Sequence, residues 1–139
     1  MDRRKFIQKT GTATVGVCCL GTTVLMSSCT KIIYVSQSIS DKQIRVSLSE
    51  FKESSFVIVQ NDQLPAPIYL TRTGEKFSAF SMLCTHRQCV LDAAGDLMIC
   101  PCHGSEFSNK GKVLSPPASQ NLDTYPVTLV DQTVIIELP

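Results

Sequence analysis

Beyond residue 40, apolar and polar positions alternate over short stretches rather than at helical spacing. Ile44, Val46 and Leu48 are separated by Arg45 and Ser47, a period of two that predicts a strand. Phe56-Val57-Ile58-Val59 is a compact, largely β-branched run suited to a buried strand. Asn61-Asp62 and Pro65-Ala66-Pro67 mark a turn after it. Ile68-Tyr69-Leu70 and Phe77-Ser78-Ala79-Phe80 flank Thr73-Gly74, which predicts a hairpin. Gly95-Asp96 precedes another short strand, Leu97-Met98-Ile99. Val127–Val130 and Val134–Ile136 flank Asp131-Gln132, a closing hairpin. No window of this region sustains an apolar period of 3.6. The pattern predicts one small all-β domain, and 139 residues suit one domain rather than two.

The first thirty residues follow a different logic. Arg3, Arg4, Lys5 and Lys9 form a basic head, and the 21 residues from Thr10 to Thr30 carry no charge. A basic head before an apolar stretch is the layout of an export signal, which stands outside fold reasoning. Arg3-Arg4-Lys5-Phe6-Ile7 resembles the start of a bacterial twin-arginine signal, whose pathway carries proteins already folded around their cofactors. Leu25-Met26-Ser27-Ser28-Cys29 resembles a lipobox, so cleavage before Cys29 and lipidation there are expected. The alternative keeps residues 10–28 as a membrane anchor, for which their length suffices. Either way the domain is tethered to the outer, periplasmic side of the cytoplasmic membrane in a bacterial cell envelope. The expected organisation is a signal over 1–28, a tether over 29–41 and a domain over 42–139.

Formal charge is +1, from 13 basic and 12 acidic residues, which supplies no electrostatic case for nucleic acid. Aromatic residues make up 6% of the chain and Trp is absent, which argues against a broad aromatic binding platform. The seven cysteines change the picture more. Cys18 and Cys19 lie in the signal and Cys29 at its end, leaving Cys84, Cys89, Cys100 and Cys102 in the domain.

Those four fall into two boxes, Cys84-Thr85-His86-Arg87-Gln88-Cys89 and Cys100-Pro101-Cys102-His103-Gly104-Ser105. Both histidines of the chain lie inside them. Each box pairs a cysteine with a histidine at short spacing, C-x-H in one and C-x-x-H in the other. Two soft thiolates and two imidazoles suit tetrahedral zinc or a mixed-ligand iron–sulfur cluster. A structural zinc site accounts for Cys84, His86, Cys100 and His103 and leaves Cys89 and Cys102 unexplained. If those two pair, they tie the boxes together, as an oxidising compartment permits. Two plain disulfides with incidental histidines would ignore the matched spacings.

The box pair resembles that of Rieske [2Fe–2S] proteins, of the disulfide-bearing kind found in cytochrome bc-type complexes and arsenite oxidase small subunits. The likeness runs from about Lys42 to Leu138. It implies a small all-β fold of short antiparallel strands with two cluster-binding loops. It implies one [2Fe–2S] cluster, with Cys84 and Cys100 on the inner iron and His86 and His103 on the outer one. It further implies a Cys89–Cys102 disulfide and a Ser105 hydroxyl donating to a bridging sulfide. Pro116-Pro117-Ala118 corresponds to the loop that covers the cluster from a third side, with Pro117 at its centre. Gly104 is expected where backbone packs closely against sulfur.

The function so implied is electron transfer through the histidine edge to a redox partner, a cytochrome or a catalytic oxidoreductase subunit. Such a chain need not catalyse alone, because a ligand-saturated cluster has no open position for substrate. An alternative is the iron–sulfur subunit of a quinol- or arsenite-oxidising complex. A ring-hydroxylating oxygenase requires further histidines for a mononuclear iron, and none remain. A cytoplasmic ferredoxin of this kind lacks the second cysteine pair and the export signal. Two positions depart from the high-potential pattern. Phe107 stands where such members carry a tyrosine that bonds to a ligand sulfur. Arg87 follows His86 where quinol-oxidising members are usually apolar, and it suits a solvated surface charge equally well.

Overall fold

The computed structural model describes residues 31–139. The expected signal over 1–28 and the lipidation site Cys29 lie outside the described residues. Three small sheets form two layered halves around one shared sheet.

The shared sheet has the order β1-β4-β5-β6-β11, built from β1 (Tyr34–Ser36), β4 (Phe56–Gln60), β5 (Ile68–Thr73), β6 (Lys76–Ser81) and β11 (Thr124–Tyr125). Its strands pair antiparallel except β1 with β4, which run parallel with Val35 opposite Val59. The stretch expected as a tether over 29–41 thus carries β1, and also β2 (Ile39–Ser40). The second sheet, β12-β13-β3-β2, adds β3 (Gln43–Ser47), β12 (Val127–Val130) and β13 (Thr133–Glu137). The third, β10-β9-β8-β7, comprises β7 (Asp92–Ala94), β8 (Leu97–Ile99), β9 (Glu106–Ser108) and β10 (Val113–Ser115).

Alternation along β4 explains why the first sheet sits in the middle. Its Val57 and Val59 join Ile68, Leu70 and Ala79 against Ile44, Val46, Val134 and Ile136 of the second sheet. Phe56 and Ile58 face the other way. They join Tyr69 and Phe80 against Met98 and Phe107 of the third sheet, with Met82, Leu91, Cys84 and Cys100. A sheet covered on both faces reads as a continuous apolar run, as Phe56–Val59 does. Phe56 stacks on Tyr69 with ring centroids 4.9 Å apart. The Tyr69 hydroxyl donates to the Gly95 carbonyl at 3.2 Å, pinning the β7–β8 turn to the middle sheet. Burial, the larger cause, and nearby Asp96 both push that phenol up from its ordinary value.

The predicted hairpins are present, with turns at Gly74, Gly95 and Asp131 all at positive φ. One expectation is corrected at Leu48. The strand ends at Ser47, whose hydroxyl accepts from the Ser49 N–H and starts a 3₁₀ turn over Leu48–Phe51.

Candidate metal centre

Both cysteine–histidine boxes are loops at one end of the third sheet, and they close in the same way. In the first, the Cys84 N–H donates to the Cys89 carbonyl at 2.8 Å, and the Gln88 N–H donates to the Cys84 carbonyl at 2.7 Å. In the second, the Cys100 N–H donates to Ser105 at 2.8 Å, and the Gly104 N–H donates to Cys100 at 2.9 Å. The residue four places after each inner cysteine takes left-handed backbone, φ 57° at Gln88 and 77° at Gly104. The left-handed angle at Gly104 itself favours glycine, and no other protein atom lies within 4 Å of a Cβ built there.

Three ties lock the loops into one unit. A Cys89–Cys102 disulfide joins the first box to the second. The Ala118 N–H donates to the Ser105 hydroxyl at 3.0 Å and joins the second box to the proline segment. The Thr85 hydroxyl donates to the Gln120 carbonyl at 2.7 Å and joins that segment back to the first box. The proline segment holds a cis peptide between Pro116 and Pro117, both exposed. Its far end is fixed by the Leu122 N–H donating to Gly111 at 2.8 Å. Gly111 lies against the Phe80 ring, leaving no room for a Cβ. Sequence reasoning missed Thr85 and Gly111, because neither belongs to a donor pattern, and placed Ala118 in the covering loop without its tie to Ser105. Gly111 alone could have been suspected, as a glycine in a turn.

Inside this frame Cys84 and Cys100 remain thiols, 1% and 2% exposed in the apolar core with Phe107 and Met98. Burial pushes the Cys84 thiol up. The His86 N–H, the Cys100 thiol, the Ser105 hydroxyl and the Arg87 N–H, all directed to its sulfur, outweigh that and hold it below the ordinary thiol range. His86 is half-buried and His103 exposed, with ring centroids 4.9 Å apart. The Nδ1 atom of His86 is buried without a hydrogen-bond partner, as suits a nitrogen whose lone pair serves a metal. The sulfurs of Cys89, Cys100 and Cys102 also lie within 4.8 Å of one another, but a disulfide offers no thiolate and this trio is no metal site.

A donor set of two thiols and two imidazoles is thus gathered at one end. The arrangement fits a mixed sulfur–nitrogen centre. Phe107 is fully buried in the same core as the two thiols, so it contributes packing there and no hydrogen bond.

Comparison with known proteins agrees. The sequence profile of the Rieske [2Fe-2S] domain matches residues 38–126. The chain is 32% identical over 73 residues to the cytochrome b6-f complex iron-sulfur subunit of Chlorobaculum tepidum, covering 51% of this chain and 40% of that one. It is 40% identical over 80 residues to the ubiquinol-cytochrome c reductase iron-sulfur subunit of Rhodobacter capsulatus, covering 55% and 41%. The match thus spans about two fifths of each of these curated relatives. Among solved structures, the cyanobacterial plasma membrane Rieske protein of Synechocystis PCC 6803 superposes with a TM-score of 0.56 at 25% identity, covering 66% of this chain and 94% of that one.

Proposed function

Since this chain belongs to the Rieske [2Fe–2S] domain family and binds one [2Fe–2S] cluster, we propose that it is a one-electron carrier whose cluster is held by Cys84, Cys100, His86 and His103. The observation that carries the reading is the placement of the four donors. The two thiols lie within the apolar core, and one of the two imidazoles is open to solvent. When bound, the cluster supplies a one-electron couple, at a potential raised because neutral imidazoles replace two anionic thiolates.

The protein's own groups do the rest. Cys84 and Cys100 fix the inner edge and exclude water from it. N–H groups of His86 and Arg87 and the Ser105 hydroxyl point at the Cys84 sulfur and stabilise negative charge there. The exposed His103 edge is the point of electron exit to a cytochrome or a catalytic oxidoreductase subunit. Cys89 and Cys102 hold the loops together and bind no iron. Saturated ligation leaves no substrate position, so the chain works as a component of an oxidoreductase rather than as a catalyst alone.

The relatives named as subunits of cytochrome b6-f and ubiquinol-cytochrome c reductase complexes favour a second, finer reading, that the chain is the iron–sulfur subunit of a quinol-oxidising assembly. Exposed Arg87 beside His86 weighs against direct quinol docking. The arsenite-oxidising version rests on resemblance of the boxes alone. Tethering outside the cytoplasmic membrane, through lipid on Cys29 or a retained segment over 10–28, belongs to the same proposal and rests on the basic, twin-arginine start. A chain in the membrane fraction that starts at acylated Cys29 by mass spectrometry supports the lipid tether. Intact residues 1–28 would support the retained segment.

Elemental analysis with sulfide release tests the carrier reading. The purified protein is expected to hold about two irons and two acid-labile sulfides per chain. Stoichiometric zinc without sulfide would overturn it.

A further inference from the structure

Resting on that reading, we infer that Arg87 orients the redox partner, and that the partner presents an acidic surface around its own redox group. Three loops form the tip: Cys84–Val90, Cys100–Ser105 and Ser115–Asn121. Within them Arg87 is the single formal charge. The acids that flank these loops in the chain are Asp92, Glu106 and Asp123, and Glu106 accepts a hydrogen bond from the Ser115 hydroxyl at 3.2 Å. Among the described residues the ion pair is Lys31–Glu53, and Arg87 makes none. The Arg87 side chain is exposed, next to His86 in the chain.

The surroundings decide which partner suits this cation. Pro101, His103, Gly104, Pro116 and Pro117 are exposed and carry no formal charge at neutral pH with histidine neutral. A surface docking onto this rim removes water from the guanidinium. That is costly unless the partner supplies an anion. The described residues hold nine Lys and Arg against eleven Asp and Glu, a net charge of −2. A basic partner is therefore drawn to the acidic body and must bury Arg87 against like charge at the tip. An acidic partner is repelled by the body and attracted at Arg87, which directs it to the histidine edge. In the encounter one electron leaves this protein and reduces the partner's redox group, with no bond made or broken.

The test uses the reduced, cluster-loaded full chain and two c-type cytochromes, one acidic and one basic around the exposed haem edge. Affinity and electron-transfer rate are measured for the native protein, Arg87→Gln and Arg87→Lys. The readout is the ratio of acidic to basic cytochrome, from which any change in driving force cancels. At about 10 mM salt, Arg87→Gln is expected to lower that ratio about three- to tenfold and Arg87→Lys to restore most of it. At about 1 M salt the difference should vanish, since screening then acts within about 3 Å. An unchanged ratio in Arg87→Gln, or a loss insensitive to salt, overturns the assignment to Arg87. Hexacyanoferrate(III) separates the two claims. A native protein that reduces it while ignoring cytochrome charge sinks only the role of Arg87. One that passes electrons to no acceptor sinks the carrier reading as well.

Discussion

The two halves of the domain share the middle sheet but are held together by different means. On one face, Val57, Val59, Ile68 and Leu70 close against Ile44, Val46, Val134 and Ile136. The strands there pair through continuous ladders, four residues long between β12 and β13 and five between β13 and β3. On the other face the sheet is short-stranded, and its working end consists of loops. Those loops are joined by one disulfide and two single hydrogen bonds, Thr85 to Gln120 and Ala118 to Ser105. Both halves bury an apolar core. The loops at the end of the second depend in addition on these few specific links, so single substitutions there act on the site without erasing the fold.

The largest contrast comes from changing one buried residue in each half. Cys84→Ser is expected to abolish iron and sulfide binding altogether while far-UV circular dichroism keeps its β signature. Leu70→Ala should do the reverse. It keeps the cluster and its potential but costs about 2–5 kcal/mol by denaturant titration, from lost apolar contact and the cavity left behind. Loss of the cluster in Leu70→Ala at permissive temperature would show that the two halves are not separable.

Next in size is the covalent tie. Changing Cys89 and Cys102 together to Ser removes a bridge that spans 13 positions in sequence. About 3 kcal/mol of stability should be lost, with the cluster still assembled but released sooner on warming. A double variant that never binds iron would mean that these cysteines are ligands.

Ser105→Ala is the smallest and most local change. It strands the buried Ala118 N–H and removes a donor toward the Cys84 sulfur. The expected cost is about 1–3 kcal/mol. At about 59 mV per tenfold change for one electron, the potential should fall by tens of millivolts to about 100 mV. A rise in potential would mean that the hydroxyl does not stabilise the reduced state.

The same contrast explains what could be read in the sequence. Alternation at Ile44 and Val46 and the run Phe56–Val59 revealed the first half, since strand burial imprints a period on the chain. In the second half β9 and β10 are three residues each, too short to imprint one, and only Gly95-Asp96 before Leu97 marked a hairpin. The four donors were legible because metal chemistry restricts residue type and spacing together. The ties at Thr85 and Ala118 were not, since a hydroxyl donating to the Gln120 carbonyl 35 residues away leaves no local pattern. The third loop was legible only through resemblance. Its working contact is the Ala118 N–H, beside the Pro117 that the motif suggests.

The central claim is that one [2Fe–2S] cluster is held by two thiolates and two imidazoles, His86 and His103. Its most direct test is pulsed EPR on the reduced full chain, with the two histidines labelled by ¹⁵N. Two distinct ¹⁵N couplings to a single cluster are expected, with one of them removed in His103→Cys. A reduced cluster showing no histidine nitrogen coupling, or couplings unchanged by His103→Cys, would contradict the assignment.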